Sequence, residues 1–355
     1  MWNFRRKNGN QDEGGMAVAE RSINPLEDFD GSDDALIAEI ERLSAADRSN
    51  RSQATERRLI GLRHLAGIRL MDCAKPDPVH PEPDFAHLPE AEGLPEIAAK
   101  DVTPELLRGG ILRDGCLLVR GLVGRQQALR FAQQIDRAFE VRDRHDAGEP
   151  SVEGYYEEFN PDPRFNAELG RSWVKEGGGV LASDSPMLSY EMMEMFRASG
   201  VSLLASAYLG EAALSSLQKT TLRKAEPWVG GAWHQDGAFM GPVRSLNLWL
   251  SLSRCGDESP SLDLVPRRLD YLVQTKTEEA VFDMQVSQLK AEQAAGDKPI
   301  IRPIFEPGDA LLFDELFLHQ TGSSPSMPKP RFALESWFFG GSGFPSDYAP
   351  IAVDV

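Results

Sequence analysis

Two histidines and an aspartate stand at spacings that can hold a metal ion. Gly231-Ala-Trp-His-Gln-Asp-Gly237 sets His234 and Asp236 two residues apart, and Leu311-Leu-Phe-Asp-Glu-Leu-Phe-Leu-His-Gln320 supplies His319 far downstream. In a strand, residues i and i+2 point to the same face, so His234 and Asp236 can reach one ion from a single edge. Two imidazoles and one carboxylate form the ligand set that holds non-haem Fe(II) on one face and leaves the other open. An HxD triplet alone arises easily by chance, and the competing reading makes His234 a surface residue and His319 a satisfied core residue. The next element favours the metal. Arg331, twelve residues after His319, opens the run Arg-Phe-Ala-Leu-Glu-Ser-Trp-Phe-Phe339 beyond a loop holding Pro325, Pro328 and Pro330. A hairpin there predicts Arg331 on the strand beside His319. Its planar fork suits the far carboxylate of a dicarboxylate whose other end chelates the metal.

These residues need a scaffold of short strands. Strand-like runs separated by turn residues fall at 214–222, 232–236, 245–252, 261–265, 310–313, 316–320 and 332–339, which predicts an antiparallel sandwich or barrel. Both halves of the triad then lie at strand ends, with Gly237 letting the chain turn at once. A helical insertion is expected around 278–295. Upstream, Thr103-Pro104-Glu105 reads as an N-cap with proline at the first helical position, and Gly115 and Gly121 bound a short apolar strand. Ala128, Leu129, Ala132, Ile135 and Phe139 line one face of a helix over 125–142. Another helix follows Ser185-Pro186, its Met187, Met192 and Met195 reading as core packing. Residues 143–184, rich in Gly, Pro and acids with Tyr155, Tyr156 and Trp173, read either as a lid or as an elaborate surface loop.

Leu36, Ile37, Ile40 and Leu43, then Leu59, Leu62, Leu65 and Ile68, predict two amphipathic helices. Six prolines within 75–95 mark a linker, which puts a domain boundary there: an extension over 1–95, with a weakly ordered start, and a site-bearing domain over 96–355. His80 and His87 in that linker lack partners at metal spacing and read as exposed loop histidines.

The 355 residues, 41% hydrophobic, can bury a sizeable core. A net charge of -17 argues against a nucleic-acid partner and leaves a small molecule as the default. Cys73, Cys116 and Cys255 are odd in number and form no CxxC, so a reducing cytoplasm fits. No secretory signal is evident, and no apolar run is long enough for a membrane span.

With its motifs read, the chain resembles the phytanoyl-CoA dioxygenase family of Fe(II)/2-oxoglutarate-dependent oxygenases over roughly 101–339. Leu106-Leu-Arg-Gly-Gly-Ile-Leu-Arg-Asp-Gly-Cys-Leu-Leu-Val-Arg-Gly-Leu122 resembles the family's opening helix and strand. Trp233-His-Gln-Asp-Gly237 is similar to its ligand motif, and Pro307-Gly-Asp-Ala-Leu-Leu-Phe313 to the turn and strand before the distal histidine. The resemblance implies a mainly β fold with flanking helices around a double-stranded β-helix (jelly roll, cupin-like) core. It also implies Fe(II) on His234, Asp236 and His319, with 2-oxoglutarate and O2 as co-substrates and no catalytic residues beyond the metal ligands. Arg331 would hold the C5 carboxylate of 2-oxoglutarate. Trp249 would lie near that co-substrate or pack in the core, and Gln218 would border the pocket or be an exposed strand residue. Trp233, Phe239, Met240 and Phe313 are candidates for the apolar pocket wall.

Two positions depart from the family. Pro260-Ser-Leu-Asp-Leu-Val-Pro-Arg-Arg-Leu269 carries Arg267 and Arg268 where relatives have Pro-Gly-Ser-His; these arginines read as solvated, or else as contacts to an anionic substrate. Ala333 stands where some relatives carry a hydroxyl beside the arginine. The aspartate at 236 argues against halogenation, for which relatives carry a small residue there. The implied reaction is hydroxylation of an unactivated C–H bond with release of succinate and CO2. Desaturation or ring formation is the alternative within the same chemistry, and a non-catalytic metal-retaining jelly roll the alternative outside it.

Overall fold

The computed structural model describes residues 29–75, 77–90, 93–149, 154–277 and 284–355. The weak order expected of the first thirty residues falls largely on 1–28, outside the described residues. Nine helices are described: α1 Asp33–Ser49, α2 Gln53–Asp72, α3 Pro104–Asp114, α4 Arg125–Asp146, α5 Glu168–Glu176, α6 Pro186–Ser199, α7 Val201–Leu209, α8 Gly237–Met240 and α9 Gln288–Ala295. The strands are β1 Glu96–Ala98, β2 Cys116–Arg120, β3 Gly179–Leu181, β4 Ala213–Ser216, β5 Thr221–Ala225, β6 Leu246–Ser251, β7 Ser261–Leu264, β8 Ala310–Phe313, β9 His319–Gly322, β10 Arg331–Gly340 and β11 Pro350–Ala352.

One large sheet runs β1-β2-β8-β6-β10-β4-β11, with β5 paired to β10 and β3 to β5; a second, of two strands, pairs β7 with β9. Strand β10 is the hub, because its ten residues are long enough to pair with β5 and β6 over most of their length and with β4 at its end. Side chains alternate across a strand. Leu334 and Phe338 therefore face one way, into a core with Phe131 and Ile135 of α4, Leu188 and Phe196 of α6 and Leu204 of α7. Ala333 faces the other way, into a cluster with Trp249, Leu311, Phe313 and the β7 residues Leu262 and Leu264. Helices thus cover one face of the large sheet and the small sheet covers the other, giving the double-stranded β-helix with flanking helices; the two sheets do not close into a barrel among the described residues.

The expected helices form at the expected caps, but Ile37 of α1 and Leu129 of α4, expected on the apolar faces, are exposed. Thr103 accepts a hydrogen bond from the Leu106 backbone at 3.2 Å, and Gly115 ends α3 at φ 89°, a conformation that favours glycine. The methionines of α6 lie in the core. Helix α2 packs on β11: a Cβ on Gly67 would sit 2.9 Å from the Pro350 backbone, so only glycine allows this approach. Beside it His64, fully buried, donates from Nδ1 to Pro350 O at 2.7 Å and accepts at Nε2 from Asp162 N at 3.0 Å. Burial pushes this imidazole down to about 4.

Several strands differ from expectation. Residues 232–236 form no strand, only isolated bridges from Trp233 to Val286 and from His234 to His319. The run 214–222 breaks at a 3-10 turn over Leu217–Lys219. His319 begins β9 rather than ending a strand, and the preceding residues turn, with Phe317 N bonded to Asp314 O at 3.2 Å. No β9–β10 hairpin forms; the strands lie in different sheets, β9 against β7 and β10 against β5, β6 and β4. Of the insertion expected over 278–295, the helix α9 is described and 278–283 lie outside the described residues. Among the described residues no helix is long and apolar enough to cross a membrane.

Candidate metal centre and its cavity

His234, Asp236 and His319 meet, with one ligand atom from each lying within 4.8 Å of the others. Backbone pairing brings this about. His234 N donates to His319 O at 3.0 Å and His319 N to His234 O at 3.1 Å, so the two residues form a directly opposed antiparallel pair with ring centroids 4.4 Å apart. Upstream, Gly231 lets the chain come close to β9, since a Cβ there would lie 2.5 Å from Thr321 N. At Gly237 the chain turns at once, as expected. Gly237 opens α8, with its N–H on Glu315 O at 2.8 Å.

Each ligand-type side chain is oriented by a further contact. His234 Nδ1 lies 2.7 Å from Ala232 O and His319 Nδ1 lies 3.0 Å from Phe317 O. Both rings thereby carry the proton on Nδ1 and keep Nε2 free, which is the arrangement a metal-binding histidine needs. Asp236, 2% exposed, accepts from the Asn247 amide at Oδ2 and faces His234 Nε2 with Oδ1 at 3.6 Å. Removal from water, with a contribution from neighbouring His319, lowers His234 to about 4; desolvation raises Asp236 to about 6 against the pull of His234. Two neutral imidazoles and a carboxylate, preset by these contacts, fit a divalent metal.

The triad opens into a cavity of about 760 Å³. Arg331 lines it, 1% exposed; among the described residues it makes one hydrogen bond, from Nη1 to Ser261 O at 3.2 Å, its buried Nε has no partner, and Glu335 is 3.9 Å from Nη2. The guanidinium lies over the Trp249 ring, 5.3 Å from its centroid. Burying a guanidinium with unfilled donors costs several kcal/mol unless an acceptor arrives. Trp249 lines the cavity and also packs on Phe305, with ring centroids 4.8 Å apart.

Gln218 borders the cavity on the 3-10 turn. It is 5% exposed rather than an exposed strand residue, and its amide is engaged by backbone: Nε2 donates to Asn166 O and Asp347 O at 3.3 Å each, and Oε1 accepts from Ala349 N at 2.8 Å. Of the expected apolar wall, Phe239 and Phe313 line the cavity; Trp233 packs instead with Val265, Leu269 and Leu318, and Met240 is not among the lining residues. Arg267 and Arg268 are partly exposed and bonded to protein groups. Arg267 donates to Ala295 O at 3.3 Å, and Arg268 pairs with buried Asp314 as well as with Asp270 at 2.8 Å. Neither lines the cavity. His80 is engaged too, bonded to Tyr208 O at 3.2 Å, while His87 is exposed beside Asp84. From the 143–184 segment, Arg164, Asn166, Gly170, Trp173 and Val174 form one wall of the cavity, several of them on α5.

Three residues here escaped sequence reasoning. Asn247 reads as a lone polar residue in Leu246-Asn-Leu-Trp-Leu250, the one sequence signal for its role. Gln235, between the two ligand-type residues, points the other way and pins two loops by donating to Tyr271 O and Leu316 O and accepting from Val273 N, at 2.9, 2.6 and 2.7 Å. Glu335, four residues after Arg331 on the same strand face, is held by Arg223 at 2.6 Å.

Residues 111–331 match the family model for phytanoyl-CoA dioxygenase. Among solved structures, EctD from S. alaskensis, with 2-oxoglutarate and 5-hydroxyectoine, is 14% identical, covering 76% of this chain and 86% of that one with a TM-score of 0.50. The epimerase SnoN, in complex with Fe3+, alpha ketoglutarate and nogalamycin RO, is 17% identical over 66% of this chain and 83% of its own, TM-score 0.44. AviO1 from Streptomyces viridochromogenes Tue57 is 17% identical over 66% and 94%, TM-score 0.43. No curated protein sequence matches. At these identities the likeness to EctD speaks for the shared fold.

Proposed function

The chain belongs to the phytanoyl-CoA dioxygenase family of 2-oxoglutarate-dependent non-haem iron oxygenases, and from there we propose that it hydroxylates an unactivated C–H bond of a small molecule. His234, Asp236 and His319 hold the iron, and Arg331 holds the C5 carboxylate of 2-oxoglutarate. The observation that carries this reading is Arg331 itself: a fully buried guanidinium with an orphaned Nε, in the same cavity as the three ligand-type side chains. A structural metal site would have no use for such a cation.

The bound metal and co-substrate supply the oxidant, with succinate and CO2 as co-products. The protein's part is orientation. Asn247 fixes which oxygen of Asp236 faces His234, and the backbone carbonyls of Ala232 and Phe317 hold both imidazoles with Nε2 free. Trp249 covers the guanidinium and keeps water from it. Gln218 ties Asn166 to the segment around Asp347 and so sets the cavity's rim rather than touching the co-substrate. We take residues 96–355 as the unit carrying the site and 1–95 as an extension, whose helices α1 and α2 pack on that unit. The free thiols of Cys73, Cys116 and Cys255 support a cytoplasmic setting.

Anaerobic addition of Fe(II) and 2-oxoglutarate is expected to give a weak visible charge-transfer band. Arg331→Ala should weaken 2-oxoglutarate binding about a hundredfold, as loss of a buried charge-assisted pair does, and leave iron binding intact. Unchanged co-substrate affinity in that variant would remove Arg331 from its role. Product carrying one added oxygen, formed with succinate in equal amounts, distinguishes hydroxylation from desaturation.

A further inference from the structure

Within the cavity one cation makes no hydrogen bond or close ion pair among the described residues. Lys219 closes the 3-10 turn next to Gln218, and its Nζ lies among three rings: 4.8 Å from the centroid of Trp337, 5.3 Å from Phe239 and 5.7 Å from Tyr348. Ring faces attract the ammonium but accept none of its hydrogen bonds in the way an oxygen would. No carboxylate or carbonyl among the described residues lies within hydrogen-bonding or ion-pair distance of its three donors; Asp236 and Glu335 attract it only from farther off, and burial lowers its pKa. The other cations lining the cavity are committed. Arg223 is held by Glu335 at 2.6 Å and by Gly177 O at 2.6 Å, Arg164 by Asp162 at 3.3 Å, and Arg331 is assigned to the co-substrate.

The charge pattern points the same way. The chain carries -17 overall, yet the cavity is lined by Arg164, Lys219, Arg223 and Arg331 against Asp236, Glu335 and Asp347, and Asp236 is reserved for the metal. Phe239 links this corner to the centre, since its ring also lies 5.7 Å from that of His234. A group held at Lys219 would therefore share a ring's breadth of cavity with the metal side.

We propose that Lys219 anchors a carboxylate of the substrate, so that the enzyme acts on a monoanionic small molecule whose apolar body lies against Trp337, Phe239 and Tyr348. One free positive charge in an aromatic surround suits a single carboxylate better than a dianionic phosphate. The proposal rests on the oxygenase reading above.

The test uses the full chain with Fe(II) and saturating 2-oxoglutarate under anaerobic conditions. Calorimetric titration is run with benzoate, 3-phenylpropionate and 2-naphthoate and with their neutral amides. The parent should bind at least one carboxylate about tenfold or more tightly than its amide. Lys219→Met should erase that preference, and Lys219→Arg should retain most of it. The charge-transfer band with 2-oxoglutarate should persist in both variants, which also shows that they fold. Absence of carboxylate preference in the parent, or its survival in Lys219→Met, overturns the proposal; so does a loss of 2-oxoglutarate affinity in Lys219→Met with no change in probe binding. Absence of the band in the parent is a different failure, that of the iron assignment.

Discussion

The two walls of the cavity are built by different means. On one side stands the large sheet, where Arg331, Glu335 and Trp337 project from a strand paired on both edges. On the other, His234 and Asp236 stand on a segment with no strand of its own, tied to β9 by one isolated bridge, from His234 to His319, and to Val286 by another, from Trp233. The ladder-built wall draws its order from repeated backbone pairing and a core on its far face. The ligand wall draws its order from isolated backbone pairs and from single side-chain bonds: His234 with His319, Gln235 to three backbone groups, Glu315 to Ser245 N at 2.9 Å, and Arg268 to Asp314. Substitutions in the first should cost stability, and substitutions in the second should cost metal.

The sharpest break in that contrast comes from His319→Ala. It should abolish the charge-transfer band and lower turnover by about three orders of magnitude or more, while the melting temperature moves little; a parent-like band would remove His319 from the ligand set. Leu334→Ala, on the core face of β10, should do the reverse. It is expected to cost about 3 to 4 kcal/mol in urea titration with the band retained in the folded protein, and a cost under 1 kcal/mol would contradict a ladder-built wall with a tight core.

Acid offers a third test, remote from both walls. Above about pH 6.5, His64 is neutral in both the folded and the unfolded chain and its contribution is intact. Below that the unfolded chain takes up a proton and the folded one, with His64 held down to about 4, does not. Stability should therefore fall between pH 6.5 and 4, by up to about 3 kcal/mol in total. His64→Gln should flatten that slope, as read by urea midpoints across the range; an unchanged slope would mean that other groups carry it. The smallest effect is expected from Gln235→Ala, which should weaken iron binding about tenfold through misorientation of its neighbours, with a smaller loss of stability than Leu334→Ala.

The sequence shows the ligand types more readily than what aligns them. His234, Asp236, His319 and Arg331 are legible because their chemistry and order are unusual. So are the helices, whose caps and apolar periodicity are local. What brings the residues together is not local. Arg331 was expected beside His319 on a hairpin, and it reaches the same cavity from another sheet, because β10 finds better partners in β5 and β6 than in its sequence neighbour. The break at Gln218 has no signal in 214–222; it comes from bonds to Asp347 and Ala349, about 130 residues away. Asn247, Gln235 and Lys219 are ordinary residues in the sequence, and only their partners give them meaning.

The packing of α2 on β11 has a consequence for handling the protein. β11 ends the order of the large sheet, paired only with β4, and α2 lies over it with His64 and Arg63 bonded to Pro350 O and Ala352 O at 2.7 and 3.1 Å. Trimming the chain to its site-bearing part would uncover a strand that is ready to pair with another copy. The first symptom of such a cut would be self-association, seen as oligomers and turbidity before any change in chemistry.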